Sequence, residues 1–418
     1  MRLVIIGNSA AGIGAVEGIR QTGSQDEIVI ISGEPYHTYS RPLISYLLLG
    51  RTTEERMRYR PEDFYTKNRC ELIFGTAAKV EPESKRLTLS DGRVVPYDKL
   101  LAAAGSVPFV PSFAGLGGVR KKFTFMSLED ARALEAALGP TSRVLVIGAG
   151  LIGLKCAEGI FHRAARMTVV DLAPNILSSI LDAEGSEIVQ GHLEDIGIVF
   201  RLGRSVASFE GYRAVLDSGE SLEFDVLVLA VGVRPNTGLF KGIVKIDRGI
   251  VVNSRMETSR ADIYAAGDCA QGTDVSSGQS KVIALLPNAY MQGECAGVNM
   301  AGGSAVFDKA MPMNAIGFFG LHIITAGNYN GEVYCEREGR NYKKLFYGQD
   351  RLNGYILIGD VEKAGIYTGL IRERTPLSTI DFGMICKRPG LMAFAREDRK
   401  VKLGRPSEVV ETGDMGVY

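Results

Sequence analysis

The sequence has 418 residues, a length that calls for two to four domains and is ample for buried cores. Basic and acidic residues balance at 48 each, so the basic excess of a nucleic-acid-binding protein is missing, and 45% hydrophobic with 23% charged residues excludes a chiefly disordered chain. Glycine is abundant at 50 residues, which points to tight turns and close backbone approaches. The six cysteines lie far apart, with no C-x-x-C pair and no Cys/His cluster; this argues against a zinc site or an iron–sulfur cluster held by this chain alone, and for a reducing, cytoplasmic setting.

In chain order, the first element is an apolar strand at Leu3–Ile6, placed so early that no signal peptide is expected. It runs into a glycine turn and a helix, and Glu27–Ser32 reads as a second strand. Residues 70–110 read as short strands with turns such as Ser90-Asp-Gly-Arg93, and residues 128–138 have helical spacing leading into a second unit. Alternating strand and helix is expected to about residue 240, and a polar loop from Gln271 to Ser280 interrupts the next block. From about 311, short apolar runs punctuated by glycine indicate a smaller, sheet-rich domain. Its uncharged stretch Ala310–Gly331 contains Pro312, Asn314, His322, Asn328, Asn330 and four glycines, which favours strands over a membrane span.

The strongest organisational signal is an internal echo at an offset of 141 residues: Leu3–Ile19 aligns without gaps on Val144–Ile160, with Ile6/Ile147, Gly7/Gly148, Gly12/Gly153, Glu17/Glu158, Gly18/Gly159 and Ile19/Ile160 identical. Each copy reads as strand, glycine turn and helix, the signature of a nucleotide-binding unit. Gly7-Asn-Ser-Ala-Ala-Gly12 is a G-x-G-x-x-G variant with Ser9 at the middle position; Ser9, Ala10 and Ala11 open a helix whose free N–H groups face phosphates. Glu34, 22 residues after Gly12, stands where an acid bonds ribose hydroxyls. Gly148-Ala-Gly150-Leu151-Ile152-Gly153 matches the fingerprint fully, and Asp171 follows 18 residues after Gly153 at a strand end. A carboxylate there accepts from both ribose hydroxyls and repels a 2′-phosphate; Leu172–Asn175 supplies no arginine, so NADH is expected over NADPH.

With these motifs in order, the chain resembles a two-dinucleotide-fold flavoprotein of the pyridine nucleotide–disulfide oxidoreductase superfamily, in the rubredoxin reductase, NADH oxidase and nitrite reductase flavin-domain branch. Tyr39-Ser-Arg41-Pro42-Leu43 resembles the segment in which an arginine–proline pair lies against the flavin and its diphosphate. Tyr97–Gly105, ending in Ala104 and Gly105, and Val228–Asn236, containing Gly232, resemble two strand-to-glycine linkers. Asp262–Ala270 contains Gly267 and Asp268, the position whose aspartate bonds the flavin ribityl chain in the family. Leu286–Gly293, with Pro287 and Asn288, resembles the helix whose N-terminus faces the flavin O2 edge, and Ala77 is a further expected FAD contact. The resemblance implies an α/β fold: two Rossmann-like dinucleotide-binding domains, the second inserted in the first, plus a smaller C-terminal α+β domain. The expected boundaries are 1–112 and 241–310 for FAD, 113–240 for NAD and 311–418 for the C-terminal interface domain.

The departures from the family pattern bear on function. Residues His37–Gly50 contain no cysteine where disulfide-reducing relatives carry theirs, the cysteine of peroxide- or water-forming relatives aligns approximately with Pro42, and the C-terminal His-Pro dyad is missing. Thiol–disulfide chemistry is therefore not expected. Where some relatives pair a lysine and a glutamate beside the flavin, this chain has Tyr46 and Lys155; Lys155 is expected near flavin N5 with Tyr46 as its partner, or else solvated at a helix start. His37, His162, His192 and His322 share no metal or triad spacing and read as structural, so no metal site is expected. Between Lys387 and Arg405 seven basic residues meet two acidic ones, either a solvated face or a docking surface for an acidic electron-transfer protein, with Met392 and Phe394 as an apolar centre or as packing.

The resemblance implies an FAD-dependent oxidoreductase moving hydride between NAD(H) and FAD and exchanging electrons with an iron–sulfur protein or partner subunit. The chain would then serve as the FAD/NAD subunit of a larger metalloenzyme, such as an aldehyde oxidoreductase complex, with either direction of flow open. An NADH oxidase making hydrogen peroxide and a non-catalytic NADH-sensing flavoprotein are the alternatives, and oligomeric state is not written in any motif.

Overall fold

The apolar start of the chain forms the strand Arg2–Ile6, at the centre of a five-stranded parallel sheet in a computed structural model that describes residues 1–402. The sheet runs Ile263–Ala265, Lys99–Ala102, Arg2–Ile6, Glu27–Ser32, Cys70–Phe74. Its central strands are apolar nearly throughout because both faces are covered, as a parallel sheet requires. The edge strand Ile263–Ala265 pairs in parallel register with Leu100–Ala102, so the chain leaves this sheet after residue 102 and returns to it only near 263.

The intervening segment builds a second five-stranded parallel sheet in the same spatial order: Lys122–Phe123, Val226–Leu229, Arg143–Ile147, Arg166–Asp171, Ile198–Leu202. The echo extends beyond the fingerprints. Each sheet carries a three-stranded antiparallel meander at the same point in its order, 77–96 in the first and 206–223 in the second. The simple alternation of strand and helix expected up to residue 240 therefore gives way there to hairpins. Gly211 and Gly219, at φ +62° and +82°, allow the tight turns of the second meander. The expected polar loop at Gln271–Ser280 is likewise partly strand, at Ala270–Thr273, with Gln271 buried.

From Met313 to Ile358 five antiparallel strands form a third sheet, the sheet-rich domain anticipated from residue 311. One face carries Phe318, Ile323, Tyr342 and Ile356 into a core shared with the second parallel sheet and with Ile44 and Leu48 of the first unit; the other face packs under the helix Ala364–Arg372. Among the described residues no helix is long and apolar enough to cross a membrane.

Four helices position the site: α1 (Ala10–Gln21), α2 (Ile44–Leu48), α3 (Leu151–Ile160) and α4 (Leu286–Met300). Helices α1 and α4 cross at backbone contact. A Cβ on Gly293 would lie 2.0 Å from the Ala11 carbonyl oxygen, and one on Gly14 would lie 2.2 Å from that of Tyr290. Helix α2 packs against α3, joining the first unit to the second.

Candidate active site

The two glycine turns have one geometry. Gly7 and Gly148 sit at φ +123° and +115°, where a Cβ would strike the carbonyl oxygens of Ala103 and Ala230 at 2.0 and 2.2 Å. A Cβ on Gly12 or on Gly153 would lie 2.0 Å from the carbonyl oxygen of Gly7 or Gly148. Only glycine fits these four positions. The middle position is different: Ser9 is extended at φ −130°, ψ −164°, and Gly150 at φ −83°, ψ −174°, conformations open to any residue, which is why serine stands there without strain.

A cavity of about 1300 Å³ opens at the carboxyl ends of the first sheet and extends between the second and third units. It exceeds the roughly 300–1,000 Å³ of sites for drug-sized ligands and so has room for a dinucleotide. Its walls contain Gly7, Ser9, Ala10, Ala11, Glu34, Arg41, Pro42, Ala77, Ala104, Gly105, Gly267, Asp268 and Pro287, as well as Tyr46, Leu151, Ile152 and Lys155. Two helices, α1 and α4, point their N-terminal ends into it, and neither has an acidic residue in its first turn. The positive ends of both dipoles are thus left for a ligand's negative charge.

Asp268 is the carboxylate most directly aimed at this space. Ser106 donates to it at 2.9 Å, and burial pushes its carboxyl above the ordinary range, against the pull of Ser106 and Arg41. A charged acceptor this poorly solvated suits a ligand hydroxyl. Glu34 is already engaged: it pairs with Arg41 and accepts from the Tyr39 hydroxyl at 2.6 Å. Tyr39 in turn accepts from the Leu128 N–H at 3.0 Å and Arg41 donates to the Met126 carbonyl at 3.0 Å, so the loop after the second strand is tied to the start of the second unit. Arg41 keeps further N–H groups for a diphosphate beyond those it uses here.

Lys155 projects from α3 into the same cavity, 14% exposed. Its ammonium lies 4.4 Å from the Tyr46 ring centroid and 5.6 Å from that of Phe318, and donates to the Gly317 carbonyl at 3.2 Å. It is therefore not a solvated lysine. Tyr46 meets it through its ring face rather than through a hydroxyl hydrogen bond. The ammonium is ion-paired with Glu158, whose other oxygen accepts from the Phe319 N–H at 2.7 Å.

Gly12, Gly148, Gly150, Gly153, Asp171 and Gly232 lie outside the cavity wall, the last five in the second unit, where Gly153 is in the first turn of α3 and Asp171 ends the strand Arg166–Asp171. Asp171 accepts from the N–H groups of Ala149 and Ala173 at 2.6 and 2.7 Å, which holds its carboxylate beside the second glycine turn. Asn288 departs from expectation: it is buried, its side-chain amide donates to the Met311 carbonyl at 3.2 Å, and its neighbours Pro287 and Ala289 face the cavity instead. Of the expected apolar centre near the C-terminus, Phe394 is packed in the core and Met392 is 71% exposed; Arg405, in the same basic stretch, lies outside the described residues.

Sequence reasoning missed Glu158, the segment Thr124–Ser127 and the strand residues Met313–Ile316, all at or beside the cavity. The identity Glu17/Glu158 was the only signal for the first; the other two enter the wall solely through tertiary packing.

Comparison with known proteins agrees with this geometry. The model of the pyridine nucleotide-disulphide oxidoreductase family matches residues 1–293. The chain belongs to this family. Residues 312–375 match the rubredoxin NAD+ reductase C-terminal domain. The chain is 30% identical over 394 residues to the NADH-dependent phenylglyoxylate dehydrogenase subunit epsilon of Aromatoleum evansii, covering 91% of this chain and 93% of that one. It is also 30% identical to the nitrite reductase [NAD(P)H] of Bacillus subtilis, with 90% of this chain matched, but it spans only 48% of that protein's length. Among solved structures, the covalent putidaredoxin reductase–putidaredoxin complex superposes with a TM-score of 0.85 at 23% identity, covering 93% of this chain and 96% of that one, a likeness of fold. As a member of the family, the chain is an FAD-dependent NAD(H) oxidoreductase with FAD and NAD as its cofactors.

Proposed function

We propose that this chain is the FAD- and NAD-binding electron-transfer component of a larger redox system, exchanging electrons with an iron–sulfur protein or partner subunit. In this reading residues 1–112 and 241–310 hold FAD, residues 113–240 hold NAD(H), and residues 311–418 form the interface domain. FAD, when bound, supplies the hydride acceptor. The α1 N-terminus and Arg41 hold the diphosphate, Asp268 accepts from a ribityl hydroxyl, and the α4 N-terminus stabilises negative charge at the far end of the cavity. Leu151, Ile152 and Lys155 position the nicotinamide, and Asp171 the adenosine ribose.

One observation carries the external acceptor: none of the six cysteines lines the cavity, so no thiol stands beside the flavin site to relay electrons. Burial pushes the thiols of Cys70, Cys269, Cys295 and Cys386 up to about 11, and that of Cys156 higher still. A full-length relative named as a dehydrogenase subunit, and a C-terminal domain of the rubredoxin reductase kind, support a protein partner. Six free thiols suit a cytoplasmic setting.

The test is the rate at which the NADH-reduced protein regains its 450 nm absorbance. Recovery over minutes in air-saturated buffer, and on the order of 1–1000 per second with an oxidised ferredoxin or rubredoxin, is expected. Rapid recovery in air alone overturns the proposal in favour of an oxidase.

A further inference from the structure

Glu158 is a buried carboxylate, 3% exposed, that the reading above does not use. It stands three residues from Lys155 on α3 and is ion-paired with it. Its second oxygen accepts from the Phe319 N–H, while the Lys155 ammonium donates to the Gly317 carbonyl two residues away. Two side chains of the second unit thus grip a single turn of the C-terminal sheet, and Tyr46 of the first unit closes over the ammonium. All three units meet at this pair.

We infer that Glu158 is a positioning residue that fixes the Lys155 ammonium at the cavity wall and offsets its charge, so that the pair rather than the lysine alone sets the electrostatic field there. The inference rests on the placement of FAD in the cavity with Lys155 beside the reacting ring. An ammonium freed of its counter-ion in a poorly solvated site attracts negative charge more strongly than a paired one. Removing the carboxylate should therefore favour the reduced, negatively charged flavin, and removing the ammonium should disfavour it.

The experiment is a measurement of flavin midpoint potential in the FAD-loaded protein and its variants. Glu158→Gln preserves shape and an oxygen acceptor for the Phe319 N–H. It is expected to raise the two-electron equilibrium toward reduced flavin about tenfold, or about 30 mV. Lys155→Met is expected to lower the potential. Should Glu158→Gln fail to fold, the double variant Lys155→Met/Glu158→Gln contains no unpaired buried charge. The double variant, which lacks the carboxylate left without its counter-ion in Lys155→Met, should lie above that single variant in potential. An unchanged potential in Lys155→Met removes the placement of Lys155 beside the flavin and the inference with it. A lowered potential in Lys155→Met, with no rise on adding Glu158→Gln in either background, leaves that placement standing and overturns the role of Glu158.

Discussion

A carboxylate held where water is scarce costs stability unless a ligand uses it, and Asp268 is placed this way. Its carboxyl is pushed above its ordinary value of 3.8 by burial, so its contribution to folding is full at pH below that value and is lost as pH rises through the raised one. The apoprotein variant Asp268→Asn is accordingly expected to melt above the parent at neutral pH, with the difference vanishing toward pH 3. Its FAD dissociation constant should rise by one to two orders of magnitude, the loss of a charged hydrogen bond worth about 1.5–3 kcal/mol. Thermal scans of the apo forms and flavin fluorescence titrations measure the two effects. Asp171 differs in kind because backbone N–H groups of Ala149 and Ala173 already support it. Asp171→Ala should raise KM for NADH about tenfold with a smaller change in kcat, since it removes binding to a part of the substrate remote from the reacting atoms. Steady-state kinetics against NADH and NADPH check this, with the ratio of kcat/KM values moving toward NADPH.

At the scale of elements, the glycine turns carry the repeat. The closeness of Gly7 to Ala103 and of Gly148 to Ala230 is a demand of the backbone, and a backbone demand leaves an invariant letter in the sequence. The strand–turn–helix units were legible for that reason, as was the strand Glu27–Ser32, whose four residues from Ile28 to Ile31 are all apolar and buried. The crossing of α1 and α4 was not legible, although it depends on glycine just as strictly. Gly14 and Gly293 are far apart in sequence, and nothing local distinguishes a glycine that admits another helix from one in a turn. Gly293→Ala places a methyl group 2.0 Å from the Ala11 carbonyl and is expected to cost about 1–3 kcal/mol in urea unfolding, with weakened FAD binding as α1 is pushed out of line. The first antiparallel meander falls among the short strands expected over residues 70–110, but the second, at 206–223, was missed because its short strands offer too few residues for a period to be read.

At the scale of the molecule, the cavity draws its wall from all three units, and the partner face proposed above is assigned to the C-terminal one. The helix Arg396–Lys402 is exposed and mostly basic, with Val401 exposed within it and Lys402 paired with Glu373. If an acidic acceptor docks there, long-range attraction governs the encounter. The double charge reversal Arg396→Glu/Lys400→Glu should slow reoxidation by an acidic ferredoxin about tenfold at low salt and flatten its salt dependence. Reduction by NADH, which takes place at the cavity, should be unchanged; stopped-flow traces of the two half-reactions separate them.

The sequence by itself determined the two dinucleotide units, their order and the lack of a cysteine in the segment His37–Gly50, because each follows from what backbone geometry or covalent chemistry requires at one position; Glu34 and Asp171 were candidates from spacing, and Asp268 from the family resemblance alone. Only the tertiary structure decided that Asn288 turns to Met311, that Tyr46 offers Lys155 a ring face, and that Glu158 stands behind that lysine. The first two outcomes join residues 23 and 109 apart in the chain, and Glu158, although only three residues from Lys155, is held by the Phe319 N–H 161 residues away; packing and charge pairing act there through space and leave no local pattern that fixes the result.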